Sequence, residues 1–279
     1  MVSLFDRPLA RLVALGAIAG LVVFAVVPFA FIATTAFKSL GEIYASPPVW
    51  IPPQPTLDNF EYVLGRGAFD VYLRNSVLVA LGTTALSLAV CVLAGYGFSR
   101  FRFPGRGPAL FAFLMVQMFP SVLLIIPLFQ VMRGLGLMDS LGALVLADTT
   151  FAIPLCTWLL KGFFDQIPPE LEEAAQIDGA SRLGALRRVT LPLAVPGIAA
   201  AGIFVFIAAW DEFVFALTFT SSDESRTLPI AISRFITSYE IQWNHMAAAT
   251  VLVTVPVVVL FLVVQRHLAQ GLLSGATKG

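Results

Sequence analysis

The sequence predicts an all-α membrane protein with six transmembrane helices. Of its 279 residues, 58% are hydrophobic and only 12% are charged, which is about half the charged fraction of a soluble domain. Six stretches reach the roughly 20 apolar residues that a helix needs to cross a bilayer. Their hydrophobicity is continuous rather than alternating, which favours helices over the strands of a membrane barrel. The net charge is zero, so composition gives no basis for a nucleic-acid partner.

The first apolar stretch begins just after Arg7 and Arg11 and resembles a secretory signal peptide. Its apolar run is longer than the about 7 to 15 residues of such a peptide's core, so we expect it to remain as a helix. We divide the chain into an N-terminal helix with a proline-rich outer loop (1–70), a five-helix core (71–267) and a cytoplasmic tail (268–279). The predicted spans are Leu12–Phe37, Val71–Phe98, Ala109–Met132, Leu141–Phe164, Leu193–Thr220 and Met246–His267.

The positions of the basic residues predict the orientation of the chain. Arg100, Arg102 and Arg106 lie in one short loop after the second span, and short basic loops stay in the cytoplasm. Most of the 17 Lys and Arg residues lie on that same side when both termini are cytoplasmic. The polar block 165–192 between the fourth and fifth spans then also faces the cytoplasm.

The block 165–192 predicts a helix–turn–helix. Pro168 and Pro169 suit the first turn of a helix, and three glutamates follow near the positive end of its dipole. Gly179 suits the left-handed residue that ends a helix, and Ser181 can cap a second short helix. The remaining apolar face favours a protein partner, and an amphipathic pair lying on lipid headgroups is the alternative. This face is predicted to contain Leu171, Ala174, Ala175, Ile177, Leu183, Leu186 and Val189.

The same block contains the pattern E-A-A-x-x-D-G-A, followed after a gap of ten residues by L-P. In this pattern the chain resembles the permease subunits of binding-protein-dependent ABC importers. Over nearly its whole length it is similar to the maltose-type sugar permeases, in Asn75–Ser76, Tyr96, Arg100, Phe103–Arg106 and Lys161–Phe164. The residues that match the pattern are Glu173, Ala174, Ala175, Asp178, Gly179, Ala180, Leu191 and Pro192.

This resemblance implies a type I ABC importer permease fold in which the block 165–192 is a cytoplasmic coupling loop. It implies that Glu173 pairs with a basic residue of a cytoplasmic ATPase and that Gly179 provides the sharp turn. It also implies three protein partners in a bacterial cell membrane: a second permease subunit in a heterodimer, an ATPase homodimer, and an extracytoplasmic solute-binding protein. We expect no catalytic residue, metal or cofactor in this chain. We expect ATP and Mg²⁺ to be bound by the ATPase, because the sequence lacks the G-x-x-x-x-G-K-[ST] pattern of a P-loop.

Carboxylates fall inside two of the predicted spans, where charged groups are costly and mark functional sites by default. Asp148 lies in the fourth span, and Trp210, Asp211 and Glu212 lie in the fifth. One interpretation is a polar and aromatic lining for a sugar pathway, in which carboxylates accept hydrogen bonds from hydroxyl groups. The other is hydrogen bonding between helices near a water-filled interface. We treat these four residues as candidate substrate-pathway residues.

The outer loop 221–245 is a candidate contact for the solute-binding protein, through Arg234 and Trp243. A tryptophan of the membrane-interface belt is the alternative interpretation of Trp243.

The function implied is that of a permease subunit of an ATP-driven importer for a di- or oligosaccharide such as maltose, maltodextrin or trehalose. An importer of a non-sugar solute such as a glycerol phosphate ester and an ion-coupled secondary transporter remain alternatives. An intramembrane enzyme is disfavoured, because the sequence lacks the H-E-x-x-H motif.

Overall fold

The computed structural model describes residues 8–65, 69–237 and 239–276. Residues 1–7, 66–68, 238 and 277–279 lie outside the described part, and with them Arg7, the start of the predicted region 1–70 and the end of the predicted region 268–279. Across the described residues the only strand-like feature is one bridge between Ile236 and Ile241, so the all-α prediction is confirmed. The helices are α1 (Pro8–Thr35), α2 (Leu40–Ile43), α3 (Asp58–Gly65), α4 (Phe69–Arg100), α5 (Arg106–Val116), α6 (Ile125–Gly134), α7 (Leu141–Asp165), α8 (Glu170–Ile177), α9 (Arg182–Ala185), α10 (Leu191–Trp210), α11 (Val214–Phe219), α12 (Leu228–Ser233) and α13 (Trp243–Ala276).

Five continuous helical segments within the described residues are long and apolar enough to cross a membrane. Each one overlaps a predicted span, and four of the predicted spans are confirmed as continuous helices. The fourth of these segments begins in the polar block, because a π-helical turn at Leu186–Thr190 joins α9 to α10 without a break. The segments are Leu9–Thr35, Phe69–Arg100, Leu141–Asp165, Arg182–Trp210 and Trp243–Val263.

The third predicted span, Ala109–Met132, is not a single helix, and that detail of the prediction was wrong. Arg106–Val116 and Ser121–Gly134 meet at an angle of 94°. Pro120 lies at the bend with an extended ψ of 128°, and proline both lacks the N–H that a helix needs and pushes the preceding residue out of helical geometry. The described chain has six spans when this bent pair is taken as one.

The fifth predicted span, Leu193–Thr220, is also interrupted. α10 ends at Trp210 and α11 begins at Val214. The Glu212 carboxylate fills the gap, since its two oxygens accept hydrogen bonds from the backbone N–H groups of Phe215 (2.7 Å) and Ala216 (2.9 Å). A short helix with otherwise unpaired N–H groups is stabilised by such a cap.

The described residues form two compact units. One comprises the described part of Met1–Gly67 together with Ile232–Val255. A buried amide, Asn59, organises this unit: its Nδ2 donates to the carbonyls of Ala36 and Lys38, both at 2.9 Å, and its Oδ1 accepts from Asn244 Nδ2 at 2.8 Å. The side chain of Tyr62 stacks on His245 with ring centroids 3.8 Å apart.

The other unit comprises the described parts of Ala68–Ala231 and Pro256–Gly279. Its core is the packing of α4, α7 and α10. Two glycines allow these helices to approach closely: a Cβ on Gly95 would lie 3.1 Å from Leu160 Cβ, and one on Gly197 would lie 2.3 Å from Phe163 Cγ. The second distance is far shorter than a van der Waals contact. The Phe163 ring can therefore occupy its position only because residue 197 has no side chain.

We predict that Gly197→Ala lowers the melting temperature of the detergent-solubilised protein. The added methyl group overlaps the base of the Phe163 ring, and overpacking of this kind costs about 1–3 kcal/mol. Gly107→Ala is the matched control, because a Cβ on Gly107 has open space around it and alanine is the better helix former. We expect the control to melt at or above the wild-type temperature. Equal melting temperatures for Gly197→Ala and wild type would contradict the packing described here.

Candidate functional site

The helix–turn–helix predicted for the block 165–192 is present. α8 begins after Pro169 and has its glutamates in the first turn. Gly179 has a φ of +89°, the left-handed conformation that glycine adopts without strain, and Ala180 N donates to Ala175 O at 2.9 Å across the turn. Ser181 Oγ accepts from Gly184 N at 3.1 Å and caps α9. The chain therefore reverses between α8 and α9 through the residues that the sequence indicated.

One glutamate of α8 attaches the loop to the end of α4. Glu172 is 4% exposed, and its carboxylate accepts hydrogen bonds from Tyr96 Oη and Arg100 Nε, both at 2.8 Å. Arg100 Nη2 also donates to the carbonyl of Ile167 at 2.9 Å. Arg100, at the C-terminus of α4, thus binds both the chain before α8, at Ile167, and the first turn of α8, at Glu172.

The charge state of Glu172 follows from these contacts. Burial alone raises the pKa of this carboxyl, but the hydrogen bonds from Arg100 and Tyr96 outweigh burial and hold the pKa below its ordinary value. Glu172 is therefore ionised at neutral pH, and its pairing with Arg100 is a buried, charge-assisted interaction of the strong kind.

The opposite side of the loop is open. Leu171 and Ala174 share the outer face of α8 by helical spacing, and both are exposed. Ile177 is 86% exposed and Leu183 65% exposed. These side chains form an apolar face that the described residues leave uncovered.

Two members of the predicted free face are positioned differently. Leu186 is 3% exposed and belongs to the core cluster that includes Tyr96 and Phe164. The prediction that Leu186 lies on the free face was wrong, because this side chain packs into the core between the membrane helices. Val189 is half-buried. Leu191 and Pro192 form the first turn of α10, so the end of the motif is the start of a membrane helix.

The carboxylates predicted inside the spans lie on one cavity. Asp148 on α7 and Glu212 after α10 both line a cavity of about 240 Å³. Trp210 is buried against Phe206, with ring centroids 5.6 Å apart, and is not among the described residues that line the cavity. Asp211 is exposed and also lies outside the lining. The structure brings together two of the four candidate pathway residues.

The predicted contacts for a binding protein lie in the unit that contains Ile232–Val255. Arg234 is exposed in the turn after α12, and Trp243, 43% exposed, is the first residue of α13. Between them the backbone folds back on itself, since Thr237 N donates to Glu240 O at 2.9 Å and Gln242 N to Phe235 O at 3.0 Å.

The segment 221–228 is held by three polar side chains. Asp139 accepts hydrogen bonds from Ser221 N at 2.8 Å, from Ser222 N at 3.0 Å and from the Ser225 hydroxyl, and these bonds hold the pKa of Asp139 well below its usual range. Asn75 Nδ2 donates to the carbonyls of residues 224 and 226, and Ser76 Oγ accepts from the N–H of residue 228. The Asn-Ser pair at the start of the second span therefore fixes a loop.

Comparison with known proteins explains this combination of features. Residues 87–274 match the family described as the inner membrane component of binding-protein-dependent transport systems. The chain belongs to this family. It is a multi-pass permease of the inner membrane and of the carbohydrate-uptake ABC transporter type, which confirms the resemblance that the sequence motifs indicated.

Two relatives and one solved structure illustrate the match. The permease is 40% identical over 90% of its length to the sulfoquinovosyl glycerol transport system permease protein of Agrobacterium fabrum, covering 88% of that protein. It is 39% identical to the trehalose transport system permease protein of Mycobacterium tuberculosis, over 82% of this chain and 84% of that one. A bacterial ABC transporter that imports the acidic polysaccharide alginate shares the fold, with a TM-score of 0.77 and 24% identity over 92% of this chain and 95% of that chain.

Sequence reasoning missed the attachment of Glu172 to α4. The available signal was the run of three acids in α8: a helix that presents one face to a partner and the other to its own membrane helices cannot expose all of them. Gln117 and Ser121, which line the cavity, were missed because the bend at Pro120 between them was not predicted.

We predict that Glu172→Gln lowers the free energy of unfolding by about 3 kcal/mol at pH 7, because it leaves Arg100 without its counter-charge in a buried site. Glu173→Gln is the matched control: the neighbouring side chain is exposed, and we expect a change within about 0.5 kcal/mol. Chemical unfolding in detergent measures both.

The same pair predicts a pH dependence. Because the pKa of Glu172 is lowered from 4.5 in the folded protein, the stability that ionisation contributes is present above about pH 4.5 and is lost as the pH falls through the folded value. The difference between wild type and Glu172→Gln should therefore shrink below pH 4.5. A difference that stays constant down to pH 3 would contradict this assignment.

Proposed function

We propose that this permease forms half of the translocation pathway of an ATP-driven importer for a di- or oligosaccharide such as maltose, maltodextrin or trehalose. The observation that supports this most directly is the coupling loop: a helix–turn–helix anchored on one side to α4 and open on the other. The similarity to a trehalose transport system permease protein supports the substrate class. The identity of the sugar, as maltose, maltodextrin or trehalose, is likewise proposed.

In this proposal ATP is hydrolysed in a separate ATPase homodimer, which binds ATP and Mg²⁺. The ATPase contacts the open face of α8, where Ala174 and Ala175 allow close approach and Glu173 pairs with a basic residue. Asp178, Gly179 and Ala180 form the turn, and Leu191 and Pro192 carry its motion directly into α10. Since Glu172 attaches α8 to α4, closure of the ATPase dimer displaces the membrane helices α4 and α10 together.

The proposal includes the remaining partners and the orientation. A second permease subunit completes the pathway as a heterodimer, and both termini are cytoplasmic. A solute-binding protein delivers the sugar on the outer side, where Arg234 and Trp243 are candidate contacts. Residues 71–267 act as the core permease domain, and the family match over 87–274 supports that division.

One observation favours a second candidate, an ion-coupled secondary transporter. Asp148 is 7% exposed, and buried carboxyl groups of this kind bind protons or cations in such transporters. The coupling loop has no role in that mechanism, so the two candidates differ in their source of energy.

We predict that Gly179→Asp abolishes ATP-driven uptake while the protein stays in the membrane. The left-handed backbone at Gly179 disfavours any side chain, so the turn presented to the ATPase is distorted. Gly107→Asp is the control, since it adds the same charge at a residue with open space near a helix start that favours acids. Wild-type uptake by Gly179→Asp would refute the coupling role.

We predict that sugar uptake into vesicles containing the full complex requires ATP hydrolysis and survives collapse of the proton gradient. The physical reason is that closure of the ATPase moves α8 and α10, with no ion needed. Uptake is measured with an ionophore present, and separately with vanadate. Loss of uptake with the ionophore while ATP is supplied would favour the secondary transporter instead.

A further inference from the structure

The segment 43–57, which leads from the end of α2 to α3, contains no charged residue. Charged residues begin again directly on either side of it, at Glu42 and Asp58. The stretch 221–242, which includes α12 and leads into α13, contains five charged residues by contrast. Connections that face water are ordinarily polar, so an uncharged connection of this length indicates a different environment.

The same segment exposes large apolar side chains. Trp50 is 64% exposed and Ile51 is 77% exposed, and Tyr44 and Leu57 are exposed as well. Single exposed apolar side chains are ordinary, but a group of them within one short segment marks a surface that another apolar phase or molecule covers. The absence of charge means that the segment itself offers no ion pair to whatever covers it.

A contact with α1 sets the depth of Trp50 in the membrane. Its ring meets the ring of Phe31 edge to face, with centroids 5.5 Å apart. Phe31 lies nine residues from Val22, the midpoint of the apolar stretch Leu9–Thr35, a distance of about 14 Å along the helix axis. The hydrocarbon core reaches roughly 15 Å to either side of the bilayer midplane. With α1 centred in the bilayer, Trp50 therefore lies at the hydrocarbon boundary, where tryptophan is enriched in membrane proteins.

The apolar surface of the segment continues onto α1. Phe29 is exposed on the helix, and Phe31 remains exposed beside Trp50. α1 is among the helices that are long and apolar enough to cross a membrane. The surface that α1 presents to lipid therefore extends without interruption to Trp50.

The backbone of the segment suits a position beside lipid. An unpaired N–H group near the hydrocarbon is strongly unfavourable, and proline has no backbone N–H to leave unpaired. Five of the fifteen residues are prolines: Pro47, Pro48, Pro52, Pro53 and Pro55. This composition lowers the cost of placing irregular backbone at the boundary.

Hydrogen bonds hold the segment at both ends. Thr56 N donates to Phe37 O at 3.0 Å, which returns the chain to a point two residues beyond the end of α1. Near the other end, Tyr44 Oη donates to Ile241 O at 3.4 Å. The segment is thus kept beside the end of α1, where the bilayer surface lies.

We propose that the segment 43–57 is a membrane anchor. It lies in the headgroup region of the leaflet at the C-terminal end of α1, with Trp50 and Ile51 inserted among the phospholipids at the hydrocarbon boundary. The anchor fixes the depth of α1 in the bilayer, and its surface contacts lipid rather than the solute-binding protein or the second permease subunit. This inference does not depend on the transported solute or on the source of energy.

The test is spin-label accessibility in the purified transporter complex, in nanodiscs of phosphatidylethanolamine and phosphatidylglycerol. Ile51→Cys carries the label, with Cys91→Ala and Cys156→Ala in the same chain and the cysteines of the other subunits replaced. Collisions of the label with oxygen, which concentrates in lipid, are compared with its collisions with a water-soluble nickel chelate. We expect the ratio of oxygen to nickel collisions at residue 51 to be severalfold higher than at a residue that faces water.

Tyr239→Cys is the matched control for that comparison. Tyr239 is 99% exposed, precedes the charged Glu240 and belongs to the same compact unit as the segment. We expect nickel collisions to exceed oxygen collisions there. Trp50→Cys is a second reporter of the boundary, and it decides the result if labelled Ile51→Cys does not assemble.

A charge at Trp50 should release the anchor. In the labelled Ile51→Cys chain, Trp50→Asp should lower the ratio severalfold, toward the value at residue 239, because a carboxylate is costly in hydrocarbon and is drawn to water. Trp50→Phe keeps an aromatic ring against Phe31 and should leave the ratio near that of its parent. Equal ratios for the two variants would overturn the role of Trp50 as the inserted group.

Three further results would overturn the proposal. A ratio at residue 51 as low as the ratio at residue 239 would place the segment in water. Few collisions with either reagent would show that protein, such as the second permease subunit, covers it. A fall in both collision rates at residue 51 on addition of the solute-binding protein would identify the segment as a docking surface for that protein.

Discussion

The buried ion pair between Arg100 and Glu172 is the interaction on which the rest of the arrangement depends. It binds α8, which is otherwise an exposed short helix, to the C-terminal end of α4. A helix of eight residues has little stability of its own, so its position is set by this contact and by the turn into α9. The outer face of α8 can be free for a partner only because the inner face is fixed.

Lipid imposes a second constraint, since every backbone polar group at membrane depth needs a partner. Most of the apolar stretches meet this requirement as continuous helices. The two that do not are supported locally, by Glu212 at the start of α11 and by a 3₁₀ turn, Ser121–Leu124, after Pro120. Both interruptions adjoin the cavity, so the places where the bundle departs from regular helix are also where polar groups collect.

Apolar content and length were sufficient to predict the helices, because a membrane span is a strong and local signal. The turn at Gly179 and the cap at Ser181 were predictable for the same reason: each depends on the chemistry of a few neighbouring residues. The Arg100–Glu172 pair, which joins residues 72 apart, and the inward position of Leu186 were not, because both depend on tertiary packing. The break after Trp210 was hidden by an apolar sequence that continues through it.

The length of α4 has a further consequence. Thr83 and Arg100 lie on the same unbroken helix, 17 residues apart, which corresponds to about 25 Å along its axis. This helix therefore attaches the coupling loop at its C-terminal end, through Arg100, and contributes Thr83 to the wall of the cavity further along. Substitutions in the cavity wall can therefore occur while the attachment of α8 to α4 stays intact. In the proposed mechanism, solute specificity can diverge among related permeases while their coupling to the ATPase is retained.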